Sequence, residues 1–305
     1  MSKDRIFTSI IICTYNRAPS LRRTLEVLKD QTLGPEDFEI IVVDDGSRDA
    51  TPGICEEARG RLPNLRYVKN ETNKGLAASR NKGLDIATGD HILFTDDDCL
   101  PSAAWAERLS GALKHRPIVS GAVASTATNF LRLCHNIAQF HAVMPGGKPE
   151  GYKEFFAGAN MAFRRSVFDD LGLFDRDAVS CEDTEMILRA RNKGYRPVFF
   201  PDAVVTHMPD RKDLSSVFGY AVKHASVTIH LRNRYRLLLK TPFILRSSSL
   251  LLFFAPVIAL KVTLSIYLRN PQLLRYPATM PVVLALKFAW CWGASRGLKK
   301  GGCLT

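Results

Sequence analysis

From residue 7 onward the chain alternates between two kinds of apolar pattern. Short, nearly continuous apolar and β-branched runs occupy residues 7–13, 39–43, 65–68 and 91–95. Runs this short and this rich in Ile and Val predict buried strands. Between them, "PSLRRTLEVLKDQ", "DATPGICEEARGRL" and "KGLAASRNKGLDIATG" read as helices. Strand and helix in alternation predict an α/β fold, a mostly parallel central sheet with helices on both faces. Such sheets bind their ligands at the carboxyl ends of the strands.

Further along, "FFAGANMAFRRSVF" reads as a strand, a small-residue turn and a second strand or helix start. "SCEDTEMILRARNKGY" predicts a helix ending at Gly194, and "PVFFPDAVVTH" a pair of short strands leading to His207. Past residue 210 the pattern changes. An amphipathic helix is expected over 214–240, with Lys223, Arg232, Arg234, Arg236 and Lys240 among its basic residues, followed by apolar segments at 247–268 and 281–292. No internal repeat or low-complexity segment interrupts this order. The expected division is residues 1–210, with halves 1–100 and 101–210, and a helical tail 211–305.

Charge sharpens that boundary. The 305 residues are 46% hydrophobic and 24% charged, a globular profile, with a net charge of +12. Residues 211–305 hold fifteen Lys and Arg against Asp213 alone, so the first 210 residues are close to neutral. The tail's longest charge-free run, 247–260, has 14 residues, short of the ~20 that a spanning helix needs. Reading on to residue 268 encloses Lys261, at a cost of roughly 2.5–3.5 kcal/mol at mid-bilayer. An interfacial helix or hairpin on the inner face of a cell membrane therefore fits better than a span, the alternative being packing on the protein or a dimer contact. The apolar runs and the lack of a recognition motif argue against nucleic acid as the partner of this basic tail. Seven cysteines, an odd number with no CxxC pair, suggest neither a zinc site nor a disulfide framework. With no signal peptide ahead of the first strand, a reducing cytoplasm is the expected compartment.

The strand ends carry the chemistry, and each cluster has two readings. In "FTDDDC", Asp96 and Asp98 lie two apart and point to one side if the chain stays extended, with Asp97 pointing away. They form either a hard, oxygen-rich site for Mg²⁺ or Mn²⁺ or a solvated loop that caps the next helix. Asp44 and Asp45 in "VVDDGS" either hydrogen-bond a nucleotide or make a turn. Thr14 and Asn16 in "CTYNR" face a nucleobase or belong to an ordinary loop. Lys74, Arg80 and Lys82 either neutralise a diphosphate or line a solvated helix face. In "SCEDTEM", Asp183 is a general base or, with Ser180, a helix cap, and Glu182 competes for the first role. His207 is a packed residue, a metal ligand or a phosphate contact.

Together, TYNR, VVDDGS, NKGLAASRN, TDDDC, GAN and ED, in this order, resemble the family 2 glycosyltransferases of GT-A fold, over residues 8–210. The resemblance implies inverting transfer of a sugar from a nucleotide sugar, a UDP-sugar foremost, to a hydroxyl of a lipid-linked or cell-envelope glycan. It implies that Thr14, Asn16, Asp44 and Asp45 hold the nucleoside, with Arg80 and Lys82 near the phosphates and Asp96 and Asp97 also at the donor. Asp96, Asp98 and His207 are implied to hold Mn²⁺ or Mg²⁺. Gly158, Ala159, Asn160 and Glu182 border the sugar and acceptor, Asp183 is the base, and Arg211 assists the leaving diphosphate. The QxxRW motif of processive synthases is absent, so one sugar or a few are added. Two rival readings remain, a nucleotide-sugar-binding protein without turnover and a sugar nucleotidyltransferase. The intact Asp96, Asp98 and Asp183 oppose the first. The lack of a glycine-rich phosphate loop in "CTYNRAPS" opposes the second.

Overall fold

The structure, a computed structural model, describes residues 7–146, 151–152, 156–178, 180–211 and 213–300. Phe155, the start of one expected strand, and Cys303 lie outside the described residues. In chain order the first elements are β1 (Thr8–Thr14), α1 (Ala18–Leu28), β2 (Phe38–Asp44), α2 (Thr51–Arg59), β3 (Leu65–Lys69), α3 (Leu76–Ile86), β4 (His91–Asp96) and β5 (Cys99–Pro101). Then come α4 (Trp105–Leu113), β6 (Ile118–Ala124), α5 (Phe130–Phe140), β7 (Gly151–Tyr152), β8 (Asn160–Arg164), α6 (Arg165–Leu171), α7 (Glu182–Asn192) and β9 (Val198–His207). The remainder is helical: α8 (Leu214–Arg234), α9 (Ser248–Phe253), α10 (Ala255–Arg269) and α11 (Thr279–Lys299).

The chain forms two compact units. One comprises Met1–Ala124, Val143–Arg176 and Glu182–Pro209 and contains the whole sheet; the other comprises Ser125–Ala142, Asp177–Cys181 and Asp210–Thr305. The sheet runs β3-β2-β1-β4-β8-β6-β9-β5, with β7 paired to β9. β1, β2, β3 and β4 are mutually parallel, as the alternating pattern predicts. β8 then enters antiparallel to both β4 and β6, and β5 antiparallel to β9, so the second half of the sheet is mixed.

Register brings the polar strand ends to one edge. Thr14 stands opposite Asp44 and Cys13 opposite Asp96, where three parallel strands finish side by side. β8 runs the other way and begins there, with Asn160 opposite Thr95. β9 ends with His207 opposite Cys99, just past the aspartates. "PVFFPDAVVTH" is one strand, not two. Its register against β6 shifts between Gly121 and Ala122, so residues 201–203 bulge out around Pro201, which lacks the N–H a regular ladder requires.

Beneath this edge, the fully buried Asn160 ties the layers together. Its amide oxygen accepts from Trp105 Nε1 at 2.9 Å, and its amide nitrogen donates to the carbonyls of Ala122 at 2.8 Å and Ala203 at 2.9 Å. A Cβ on Gly121 would lie 1.9 Å from the Ala203 carbonyl, so only glycine permits this approach of β6 to the bulge. On the other half of the sheet α3 packs onto β1 through Gly83, where a Cβ would come within 2.6 Å of Ile11. α7 stops as expected, with Gly194 in the left-handed region at φ 99° just beyond its end.

In the second unit, α8 ends at Arg234, earlier than the apolar pattern suggests. The apolar stretch 247–268 is broken at Phe254, because Pro256 in the first turn of α10 has no N–H to continue α9. α8 and α11 approach closely: a Cβ on Gly293 or Gly297 would lie 2.3 Å from the Val222 carbonyl or 2.5 Å from that of Ser226. Among the described residues, no helix is long and apolar enough to cross a membrane.

Asn160→Ala strands one indole N–H and two carbonyls in a dry interior. We expect a loss of about 3 kcal/mol of unfolding free energy, read from urea denaturation; a loss below about 1 kcal/mol would show that these bonds do not hold the sheet together.

Candidate functional site

Three aspartates in sequence need compensating partners, and the structure supplies them, with Arg17 shared between two. Asp97 Oδ2 accepts from the Thr14 hydroxyl at 2.7 Å, and its Oδ1 accepts from Arg17 at 3.1 Å. Asp98 Oδ2 accepts from the same Arg17 nitrogen at 2.9 Å, while its Oδ1 lies 3.4 Å from His207 Nε2. Asp96 faces Arg80 at 3.3 Å. The turn from β4 into β5 is tied from behind by Thr24 of α1, whose hydroxyl contacts the carbonyls of Asp97 at 2.9 Å and Cys99 at 2.8 Å.

Arg80 joins this turn to the start of α7. It is buried on α3, its guanidinium stands 5.8 Å and 5.7 Å over the rings of Phe94 and Phe174, and it pairs with both Asp96 and Glu182. Desolvation works against its charge, but Glu182 and Asp96 outweigh this and hold it protonated. Asp183 lies beside it: Oδ2 accepts from the Gly158 N–H at 2.8 Å and Oδ1 from the Thr184 N–H at 2.6 Å. Gly158 has no room for a side chain, since a Cβ would lie 2.5 Å from Asp183 Oδ2 and 3.0 Å from Arg80.

Among the described residues, the cluster holds more carboxylates than cationic partners. Asp96, Asp97, Asp98, Glu182 and Asp183 share Arg17, Arg80 and a histidine. Burial accordingly pushes Asp97 up to about 7 despite Arg17, and pushes Glu182 up to about 7 despite Arg80, with Asp183 adding repulsion. Asp96 is raised by burial as well. Asp98 is the exception. Burial would raise it, yet the His207 hydrogen bond and the Arg17 charge together hold it well below the carboxylate range.

The other expected residues sort by position. Asp44, fully buried, accepts from the Ser47 N–H at 2.7 Å and from the Tyr67 hydroxyl at 2.6 Å. Asp45 accepts from Asn70 at 2.8 Å and from the backbone N–H groups of Lys74 at 2.9 Å and Gly75 at 2.8 Å, at the amino end of α3. Asn16, at φ 52°, receives the Arg48 N–H on its side chain at 2.7 Å and donates its own N–H to Ser47 at 2.8 Å. These residues therefore build the loops beside the cluster. Lys82 is turned elsewhere, onto the Lys69 carbonyl at 2.9 Å and Asn70 at 3.0 Å, and the Lys74 side chain is exposed. Ala159 and Asn160 are buried. Arg211 belongs to the second unit, where it stacks 4.7 Å from the Tyr220 ring centre.

Arg17 was not singled out in the sequence, although it stands in the quoted "CTYNR". Counting carboxylates against cations at the strand ends is the signal that would have found it. For a metal, Asp98, Cys99 and His207 offer buried ligand atoms all within 4.8 Å of one another. Burial and the neighbouring Asp98 and Asp96 keep the Cys99 thiol protonated, which leaves an ionised carboxylate and an imidazole. That oxygen and nitrogen set fits Mn²⁺ or Mg²⁺ better than a thiolate-seeking ion.

Two family descriptions match the sequence: "Glycosyl transferase family 2" over residues 9–172 and "Glycosyl transferase family group 2" over residues 109–292. Glycosyltransferase AglE of Haloferax volcanii is 28% identical over 209 residues, covering 68% of this chain and 68% of that protein. The probable glycosyltransferase YdaM of Bacillus subtilis is 29% identical over 209 residues, covering 64% of this chain; the aligned part spans about half, 49%, of YdaM. In fold, the chain is similar to a mannosyltransferase from Pyrobaculum calidifontis solved with GDP-Man and Mn²⁺. The TM-score is 0.60 at 21% identity, over 93% of this chain and 86% of that one.

Glu182 generates a pH prediction. Its folded value of about 7 lies above its ordinary 4.5, so the folded state keeps a proton that the unfolded chain releases. This contribution is present below pH 4.5 and is lost as pH rises towards 7. In EDTA, Glu182→Gln should therefore gain stability relative to wild type between pH 5 and 7.5, by about 1–3 kcal/mol from a shift of this size. A relative stability that is flat or falling across that window, read by thermal unfolding, would contradict the assignment.

Proposed function

The chain belongs to glycosyl transferase family 2 and is a glycosyltransferase of GT-A fold; from that premise we propose how its acidic edge works. The donor is a nucleoside diphosphate sugar, and the acceptor is a hydroxyl of a lipid-linked or cell-envelope glycan. The observation that carries this reading is the bridge Arg80 makes between Asp96 at the end of β4 and Glu182 at the start of α7, which sets Asp183 beside the aspartate turn. The nucleoside half would rest on the loops of Thr14, Asn16, Asp44 and Asp45.

The reaction in this reading is a single displacement with inversion. Asp183 takes the proton of the acceptor hydroxyl. The oxygen attacks the anomeric carbon while the bond from that carbon to the diphosphate breaks on the opposite face, with the electron pair leaving on the phosphate oxygen. Asp98 and His207 would hold a divalent cation, Mn²⁺ or Mg²⁺, which when bound supplies positive charge to the diphosphate. The chain's own part is to orient Asp183 through the Gly158 and Thr184 N–H groups and to keep Arg80 charged nearby. Glu182, engaged with Arg80, positions that charge and leaves Asp183 as the base.

Asp183→Asn should lower sugar transfer, or donor hydrolysis without acceptor, by roughly 10²–10⁴-fold while donor affinity stays within a few-fold. The product anomer, read by NMR, should be inverted relative to the donor. Retention of the donor's configuration, or an Asn variant with near wild-type turnover, would overturn the mechanism.

A further inference from the structure

Within the second unit, α10 is apolar on two opposite faces. Ala255, Ala259, Thr263 and Ile266 are buried. The other face presents Val257 at 63% exposure, Leu260 at 49%, Leu264 at 45% and Leu268 at 79%. Their spacing aligns them in one stripe along the helix. Phe253, at the end of α9 and 78% exposed, continues the apolar surface. The outer face of a helix in water is normally polar, and a contiguous apolar surface of this kind marks a contact site.

Charge identifies what covers it. Lys261 is exposed next to the stripe, Arg269 closes α10, and Arg275 follows. Across residues 211–305, Asp213 is the one acidic residue against fifteen Lys and Arg. A second copy of the chain would set two such basic surfaces against each other, whereas an anionic surface would neutralise them. The 15 residues of α10 make a helix of roughly 22 Å, shorter than the ~30 Å hydrocarbon core. It suits a helix lying in the plane of an interface.

We propose that the outer face of α9 and α10 docks on an anionic phospholipid bilayer. Phe253, Val257, Leu260, Leu264 and Leu268 enter the acyl boundary, and Lys261 and Arg269 meet the lipid phosphates. This rests on no step of the sugar-transfer reaction and stands or falls separately from it.

The test is flotation of the full chain with vesicles of phosphatidylcholine alone or of equimolar phosphatidylcholine and phosphatidylglycerol. Wild type should float with the anionic vesicles, more weakly with the neutral ones, and should be released by salt. Leu260→Gln/Leu264→Gln and, separately, Lys261→Gln/Arg269→Gln should each weaken partitioning roughly tenfold or more. All four side chains are exposed, so the melting temperature should hold and serves as the folding control. The proposal is overturned if wild type does not float, if both double variants float as well as wild type, or if the wild type is a dimer by light scattering that the leucine variant splits without any vesicle binding.

Discussion

The guanidinium of Arg80 is what the candidate site is built around. It is enclosed by Phe94 and Phe174, and a buried charge of this kind persists only where carboxylates surround it. The carboxylates come from elements far apart in sequence, Asp96 from β4 and Glu182 from α7, so the ion pairs fix how the two halves of the sheet-bearing unit meet. Gly158 has to be glycine for the same reason, since Asp183 and Arg80 fill the space its side chain would need.

Even with Arg80 in place the edge holds, among the described residues, more carboxylate than cation, and the consequences are visible around it. Arg17 serves two aspartates at once, and Asp97 and Glu182 are pushed up to about 7 by burial. In the proposed mechanism a divalent cation would offset this excess and the charge of a diphosphate beside it. Asp98, held ionised by His207 and Arg17, is the carboxylate that in the proposed mechanism would take such an ion without first losing a proton.

Much of this was legible from the chain. The continuous apolar runs of β1 and β2 allowed a buried parallel sheet and little else, and that sheet placed Thr14, Asp44 and Asp96 at one edge. His207 could be singled out from its place at the end of an apolar run, whereas the residues alone left Asp183 and Glu182 as competitors and only the family resemblance favoured Asp183. Spacing alone could not assign partners. In an extended chain Asp96 and Asp98 would share a side, but the tight turn between β4 and β5 sends Asp96 to Arg80 and Asp98 to Arg17 and His207. Nor could spacing foresee that Lys82 bonds the Lys69 carbonyl and Asn70. The reversed β8 and the bulge around Pro201 depend on contacts between distant residues, such as the amide of Asn160 against Ala122 and Ala203, that no local pattern encodes.

In the proposed mechanism the acidic edge is completed by a divalent cation carrying a nucleoside diphosphate. Isothermal titration of UDP and GDP into the protein, with and without Mn²⁺, on wild type and Asp98→Ala, tests it most directly. One nucleotide should bind wild type only when Mn²⁺ is present, and Asp98→Ala should abolish this binding while the protein stays folded. Equal binding without metal, equal binding by the variant, or no binding of either nucleotide under any condition would contradict it.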